Sequence, residues 1–291
     1  MTATLMASCP PQTLNVRCNS LTFPVLKWGP DGGRPVLLLH GFPQEPATWT
    51  AVAEALLPDG FQLFAPFQRG YAPGTRAAGS GDCSFDQFVD DAVALIEALH
   101  LTKPDVVGFG MGGAQAWMLA ASCPERVRSL TSLRFPHPAA FARGVRFEPE
   151  QREKWRRLQE QLGSGSLEDR AAVMLDAEAA GLRRLLSTNG LPPAFVDRYV
   201  ARLREPGALT GALAWEHAIS LEDFASVPDI LVPTLLLWSE GPALSKATVV
   251  ATQEHVRASF TEVLVPACGN FMLEVAPLRV APPLREHLLR H

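Results

Sequence analysis

The sequence predicts an α/β protein with a mostly parallel, doubly wound sheet flanked by helices and interrupted once by an all-helical block. Short apolar runs alternate with amphipathic helical stretches from Pro35 to Leu133, the pattern of repeated βα units. Pro35–His40 is continuously apolar up to its last residue, as a strand covered on both faces must be. From about Phe147 to Leu221 the strand pattern gives way to Arg, Glu, Leu and Ala at helical spacing. The expected division is a core of residues 1–136 and 226–291 and a helical cap of residues 137–225.

Taken in order, Thr13–Cys18 and Leu21–Lys27 read as antiparallel strands around an Asn19-Ser20 turn. Pro35–His40 is a strand, Ala47–Leu57 a helix and Phe61–Ala65 a strand. Phe85–Leu99 is strongly periodic, with Asp82 or Ser84 as its cap. Asp105–Phe109 is a strand followed by a glycine-rich turn and a helix through Ala114–Ala121, then a strand at Val127–Leu133. Gly163–Ser166 and Pro192-Pro193 break the helical block. Alternation resumes at Val232–Trp238, Thr248–Ala258, Glu262–Val265 and Leu273–Leu289.

Composition narrows the function classes. A chain of 291 residues with 47% hydrophobic content builds a substantial core, with room for one inserted block. A net charge of −4 gives no basic footprint for nucleic acid. The five cysteines (Cys9, Cys18, Cys83, Cys123, Cys268) share no metal-ligand spacing, so no metal is expected. Met1–Pro11 lacks the pattern of a signal peptide, and the longest apolar stretch, Ile230–Trp238, is short and broken by Pro233. The expectation is a cytoplasmic protein with no membrane association and no cofactor; a homodimer is left open.

Several motifs then point to a family. His40-Gly41-Phe42-Pro43 resembles the oxyanion loop of α/β-hydrolases of the epoxide hydrolase and haloalkane or haloacetate dehalogenase type. Gln68-Arg69-Gly70-Tyr71 is similar to their R-G-Y turn, Phe135-Pro136-His137-Pro138 to the start of their cap, and Leu203–Trp215 to their cap helices. Pro233–Trp238 and Pro266–Pro277 resemble the stretches that deliver the catalytic acid and histidine, and Gly108–Gly112 the nucleophile elbow, G-x-Nuc-x-G. The resemblance spans nearly the whole chain and implies an α/β-hydrolase fold with a helical cap.

It also implies a nucleophile, a histidine base and an acid, and here the chain departs from the family. Gly110 stands at the nucleophile position, and Asn270, in Cys268-Gly269-Asn270-Phe271, stands at the histidine. The acid loop, Ser239-Glu240-Gly241-Pro242, is one residue short, so Glu240 is the only candidate there; the alternative position holds Arg134 and Phe135. The cap tyrosines of epoxide hydrolases have no counterpart either: Trp155 and Glu216 stand near those places, while Tyr71 belongs to the R-G-Y turn and Tyr199 to an amphipathic helix. Losing triad members costs orders of magnitude, so hydrolysis by the family mechanism is not expected.

Backbone devices outlive side chains. By the resemblance, the oxyanion hole consists of the Phe42 and Met111 amides, which can polarise a carbonyl without a nucleophile. Phe67, Phe109, Trp155, Trp215 and Phe271 are the expected apolar wall of a substrate pocket. Glu216, His217 and His137 are the candidate acid–base residues, with Glu216 held in an apolar setting as the most interesting. His40 is expected to support the oxyanion loop, His100, His255, His287 and His291 to be solvated, and Cys268 to be inert.

The expected function is a non-hydrolytic cyclase or isomerase of secondary metabolism, acting on a small, apolar, carbonyl-containing molecule. The alternatives are a non-catalytic ligand-binding protein and an epoxide hydrolase-like enzyme with a rebuilt site. A rival motif, Gly108-x-Gly110-x-x-Gly113, has the form of a dinucleotide fingerprint. It lacks the acid at the end of the next strand, where Arg134 alone offers contact to a 2′-phosphate.

Overall fold

The computed structural model describes residues 10–76 and 84–291. Asp82, one of the two expected caps, and Cys9 and Cys83 lie outside them. Eight strands form one sheet: β1 (Gln12–Cys18), β2 (Leu21–Trp28), β3 (Arg34–Leu39), β4 (Phe61–Pro66), β5 (Asp105–Phe109), β6 (Leu130–Leu133), β7 (Thr234–Trp238) and β8 (Phe260–Leu264). Their order is β1-β2-β4-β3-β5-β6-β7-β8. β1 pairs antiparallel with β2 and β2 antiparallel with β4, and every later pairing is parallel.

The flanking helices are α1 (Thr50–Leu56), α2 (Phe85–Ala98), α3 (Met111–Ser122), α10 (Lys246–Ala251), α11 (Met272–Val275) and α12 (Pro277–Arg290). Between β6 and β7 run α4 (Pro138–Phe147), α5 (Pro149–Leu162), α6 (Leu167–Thr188), α7 (Pro193–Leu203), α8 (Ala208–His217) and α9 (Leu221–Ala225). The helical insertion therefore leaves and re-enters the sheet at adjacent strands. Among the described residues no helix is long and apolar enough to cross a membrane.

Period-two alternation in β3 builds both cores. Leu37 and Leu39 join Phe88 and Trp117 on one face, while Val36 and Leu38 join Trp49 and Leu235 on the other. Asn19 and Ser20 take φ of 47° and 63°, the left-handed pair that a two-residue hairpin turn requires. Ser84 caps α2, its side chain accepting from the Gln87 amide.

The differences from the expected elements have local causes. The expected strand at Val127–Leu133 pairs only from Leu130, because Pro124–Arg126 forms a short helical turn before it. The expected helix at Leu273–Leu289 is split at Pro277, which has no amide hydrogen and starts α12 instead. α6 is broken at Asp176–Ala179, where Ala177, Glu178 and Ala179 lie at positive φ. His287 is buried rather than solvated, and burial lowers its pKa to about 4.

Candidate active site

The β5–α3 junction sets the site. Gly110 adopts φ 55° and ψ −120°, the sharp turn that lets a strand pass directly into a helix. A Cβ on Gly108 would lie 2.1 Å from Gly112 O, one on Gly112 2.3 Å from Leu39 O, and one on Gly113 2.8 Å from Ser132 Oγ. These three glycines are required for close contact between helix and strands, which accounts for the dinucleotide-like spacing by packing. Gly110 differs. A Cβ there would meet nothing nearer than Gly41 Cα at 4.0 Å. The nucleophile position has space for a side chain and carries none.

The facing loop is held by His40. Its Nε2 accepts from the Gln68 amide at 3.2 Å and its Nδ1–H donates to Gly41 O at 3.0 Å, which defines a neutral tautomer. Burial lowers its pKa to about 4, so it stays neutral and supports the loop. Gly41 packs against the elbow so closely that a Cβ would lie 3.2 Å from Met111 N. Neither the Phe42 amide nor the Met111 amide donates to a protein acceptor among the described residues. Both residues line one cavity of about 160 Å³ between sheet and insertion.

The side chains around that cavity are mostly apolar: Phe109, Phe135, Phe141, Trp155, Leu158 and Phe271 line it. Phe109, Trp155 and Phe271 thus stand where the pocket wall was expected. Trp215 and Phe67 do not. Trp215 stacks on Phe88 with ring centroids 3.6 Å apart and donates Nε1–H to Arg69 O, facing the core. Phe67 lies under the Arg202 guanidinium, 4.6 Å from its ring centroid, outside the cavity lining.

The same helix that turns Trp215 inward presents Glu216 to the cavity, since successive helical residues point about 100° apart. α8 is seated by a backbone contact: a Cβ on Gly70 would lie 2.7 Å from Gly211 O, so both glycines are needed there. Arg69, in the same turn, forks onto Asp91 of α2 at 2.6 and 2.8 Å. Glu216 retains some exposed area because it faces the cavity, yet protein surrounds it. Burial raises its pKa to about 7, against a small opposing pull from Arg170. It makes no hydrogen bond to another described residue.

The other acid–base candidates lie elsewhere. His217 is exposed at the end of α8, on the side away from the cavity lining. His137 caps α4: its Nδ1 accepts from the Ala139 amide at 3.2 Å and its Nε2–H donates to Pro228 O at 3.1 Å. Burial, reinforced by the neighbouring His255, lowers its pKa to about 3, and His255 stacks on it at 4.5 Å. His255 is therefore packed rather than solvated. Glu240 is exposed and outside the cavity lining. Cys268 is buried, its thiol donating to Pro266 O at 3.3 Å, and burial raises its pKa.

Asn270 lines the cavity, and its Nδ2–H donates to Asn189 Oδ1 at 2.9 Å. Asn189 Nδ2–H in turn donates to Leu185 O at 2.8 Å, so the orientation of both amides follows from the backbone carbonyl. Asn270 Oδ1 is left buried without a partner. Sequence reasoning missed Asn189 and Arg134 as cavity residues; Arg134 sits on the β6 end, next to the elbow strand, and Asn189 on a helix end whose direction no local signal encodes. Among the described residues no group of three or more His, Cys, Asp or Glu is placed to hold a metal.

Comparison with known proteins agrees with this architecture. The family model described as alpha/beta hydrolase fold matches residues 34–277. The AB hydrolase superfamily protein YfhM of Bacillus subtilis is 30% identical over 247 residues, covering 82% of this chain and 85% of that protein. Epoxide hydrolase 3 of Xenopus tropicalis is 27% identical, covering 87% of this chain and 71% of that one. Among solved structures, an epoxide hydrolase of Bacillus megaterium bound to an inhibitor has a TM-score of 0.82 at 21% identity, covering 96% of this chain and all (100%) of its own. The glycine elbow, the H-G loop on its histidine strut and the match over most of the length place this chain in the α/β-hydrolase family, with an architecture similar to the epoxide hydrolases.

Proposed function

We propose that this protein is a non-hydrolytic α/β-hydrolase-fold enzyme that moves a proton on an apolar carbonyl compound, as an isomerase or cyclase does. One observation carries the reading. A single apolar cavity holds two unused backbone donors, Phe42 and Met111, and one unpaired carboxyl, Glu216, whose pKa of about 7 populates both protonation states near neutrality. The covalent route has no nucleophile at Gly110 and no base at Asn270.

The chemistry balances without water. The Glu216 carboxylate takes a proton from the carbon next to the carbonyl; the C–H electron pair becomes a new C=C bond, and the C=O π pair moves onto the carbonyl oxygen. The Phe42 and Met111 N–H groups donate to that oxygen as charge develops, where preorganised donors contribute most. In a β,γ-unsaturated substrate Glu216 then returns the proton at the γ-carbon as the C=O bond re-forms and the C=C bond moves into conjugation. In a cyclisation the enolate carbon closes on an electrophilic carbon and the proton goes to the resulting anion. The product has the mass of the substrate. A carboxyl near neutrality suits both transfers, because its pKa lies close to the working pH.

The test compares small molecules from the source organism with and without the gene by chromatography and mass spectrometry, followed by conversion with purified protein. Loss of one compound with accumulation of an isomer of equal mass supports the reading, and Glu216→Gln should abolish conversion. Unchanged small molecules would leave a ligand-binding protein. A second reading, epoxide hydration through a rebuilt site, is favoured by the relatives named as epoxide hydrolases. It requires product and precursor to differ by one water.

A further inference from the structure

Arg134 takes no part in the proton transfer above. It follows β6 directly at φ 61°, is 6% exposed and lines the cavity. Its Nη1–H donates to Gly269 O at 2.6 Å, which puts the guanidinium beside Asn270. No Arg134 nitrogen is both sealed and without a partner, so its N–H groups not used by Gly269 keep some accessible area on a residue that lines the cavity.

Among the described residues it has no counter-ion in contact. Glu274 is the carboxyl whose field reaches it, but no ion pair joins the two. Glu274 Oε1 instead accepts from Gln44 Nε2, Thr48 Oγ1 and Tyr199 Oη at 3.2, 3.1 and 2.7 Å. Glu216 lines the same cavity and forms no ion pair with Arg134. A buried cation on a cavity wall shared with Phe109, Phe135 and Phe271, with no anion paired to it among the described residues, is unfavourable until something anionic reaches it. A planar guanidinium is matched in shape and charge by a carboxylate.

We infer that the cavity takes an amphipathic monocarboxylate, with its carboxylate paired to Arg134 and its apolar body between the sheet and the helical insertion. The inference rests on the proposed reading only in making this cavity the ligand site. Under that reading the substrate is an apolar oxo acid, its carboxylate at Arg134 and its carbonyl at Phe42 and Met111.

The experiment is calorimetric titration with octanoate and with methyl octanoate, which share a chain and differ in charge. Octanoate is expected to bind at least tenfold more tightly. Arg134→Gln should remove that preference and leave methyl octanoate binding unchanged, which also reports an intact cavity; Arg134→Lys should retain part of it. Equal binding of the two probes by the unmodified protein would overturn the inference, as would a full preference in Arg134→Gln. If neither probe binds even at millimolar concentration, the monocarboxylate assignment is likewise rejected. Carboxylate preference without turnover of any compound removes the isomerase reading alone, whereas turnover of neutral ketones without that preference removes this inference alone.

Discussion

Asn270 Nδ2 donates to Asn189 Oδ1 across 2.9 Å, joining the loop before α11 to the end of α6. The position that the family resemblance assigns to a histidine base is thus occupied by a strut between core and insertion. An amide has no useful basicity near neutral pH, and this one is also held in place by a chain that ends on Leu185 O. Chemistry in the cavity has to come from other groups.

Restoring the nucleophile alone should therefore not restore hydrolysis. Gly110→Asp has space for its side chain, at a sparsely populated positive-φ backbone position that costs about 1–3 kcal/mol. With styrene oxide, intact-protein mass spectrometry is expected to show at most one ester adduct per chain and no diol. Multiple turnovers by Gly110→Asp would reveal a second base in the cavity, with Glu216 the first to test.

Glu216 should make stability depend on pH. Its pKa is raised from 4.5 to about 7, so between these values the folded chain holds a proton that the unfolded chain has released. Stability should fall as pH rises from about 4.5 to about 7 and level off above, with an upper bound of about 3 kcal/mol that cavity water reduces. Urea unfolding of Glu216→Gln across this range should lack that component. Equal slopes in the two proteins would show that Glu216 is solvated and ionised throughout.

Tyr199 ties α7 to the core, with its hydroxyl 2.6 Å from Thr48 Oγ1 and 2.7 Å from Glu274 Oε1. Tyr199→Phe keeps the ring packing and leaves the Glu274 carboxyl short of a donor. The expected loss is about 1–3 kcal/mol in denaturant unfolding. A change below about 0.5 kcal/mol would mean that water or Gln44 takes over the contact.

Gly108→Ala should be far more damaging than its one carbon suggests. The added methyl would lie 2.1 Å from Gly112 O and 2.7 Å from Gly113 Cα, backbone atoms that cannot move without unseating α3. A loss at or above about 3 kcal/mol, or insoluble protein, is expected in circular dichroism melts. Near-native melting would show that the elbow tolerates a wider helix–strand spacing.

The fold was legible because its signals are local. Apolar runs such as Pro35–His40, the glycine spacing over Gly108–Gly112 and the Asn19-Ser20 turn are each contained within a few residues. Absence of chemistry was legible for the same reason: a glycine at 110 and an asparagine at 270 lack the required groups in any conformation. What faces the cavity was decided only by the tertiary structure. Trp215 and Glu216 are neighbours in one helix, yet the Gly70–Gly211 contact rotates α8 so that the indole enters the core and the carboxyl enters the cavity. His137 and His217 likewise differ from expectation through position alone, one consumed by a helix cap and the other turned to solvent. Arg134 shows the limit most clearly. Its burial depends on β6 lying between β5 and β7, a long-range arrangement that no pattern in its own segment encodes. Residue type limits which reactions are open to this chain, and the packing of distant segments selects which side chains reach the same enclosed space.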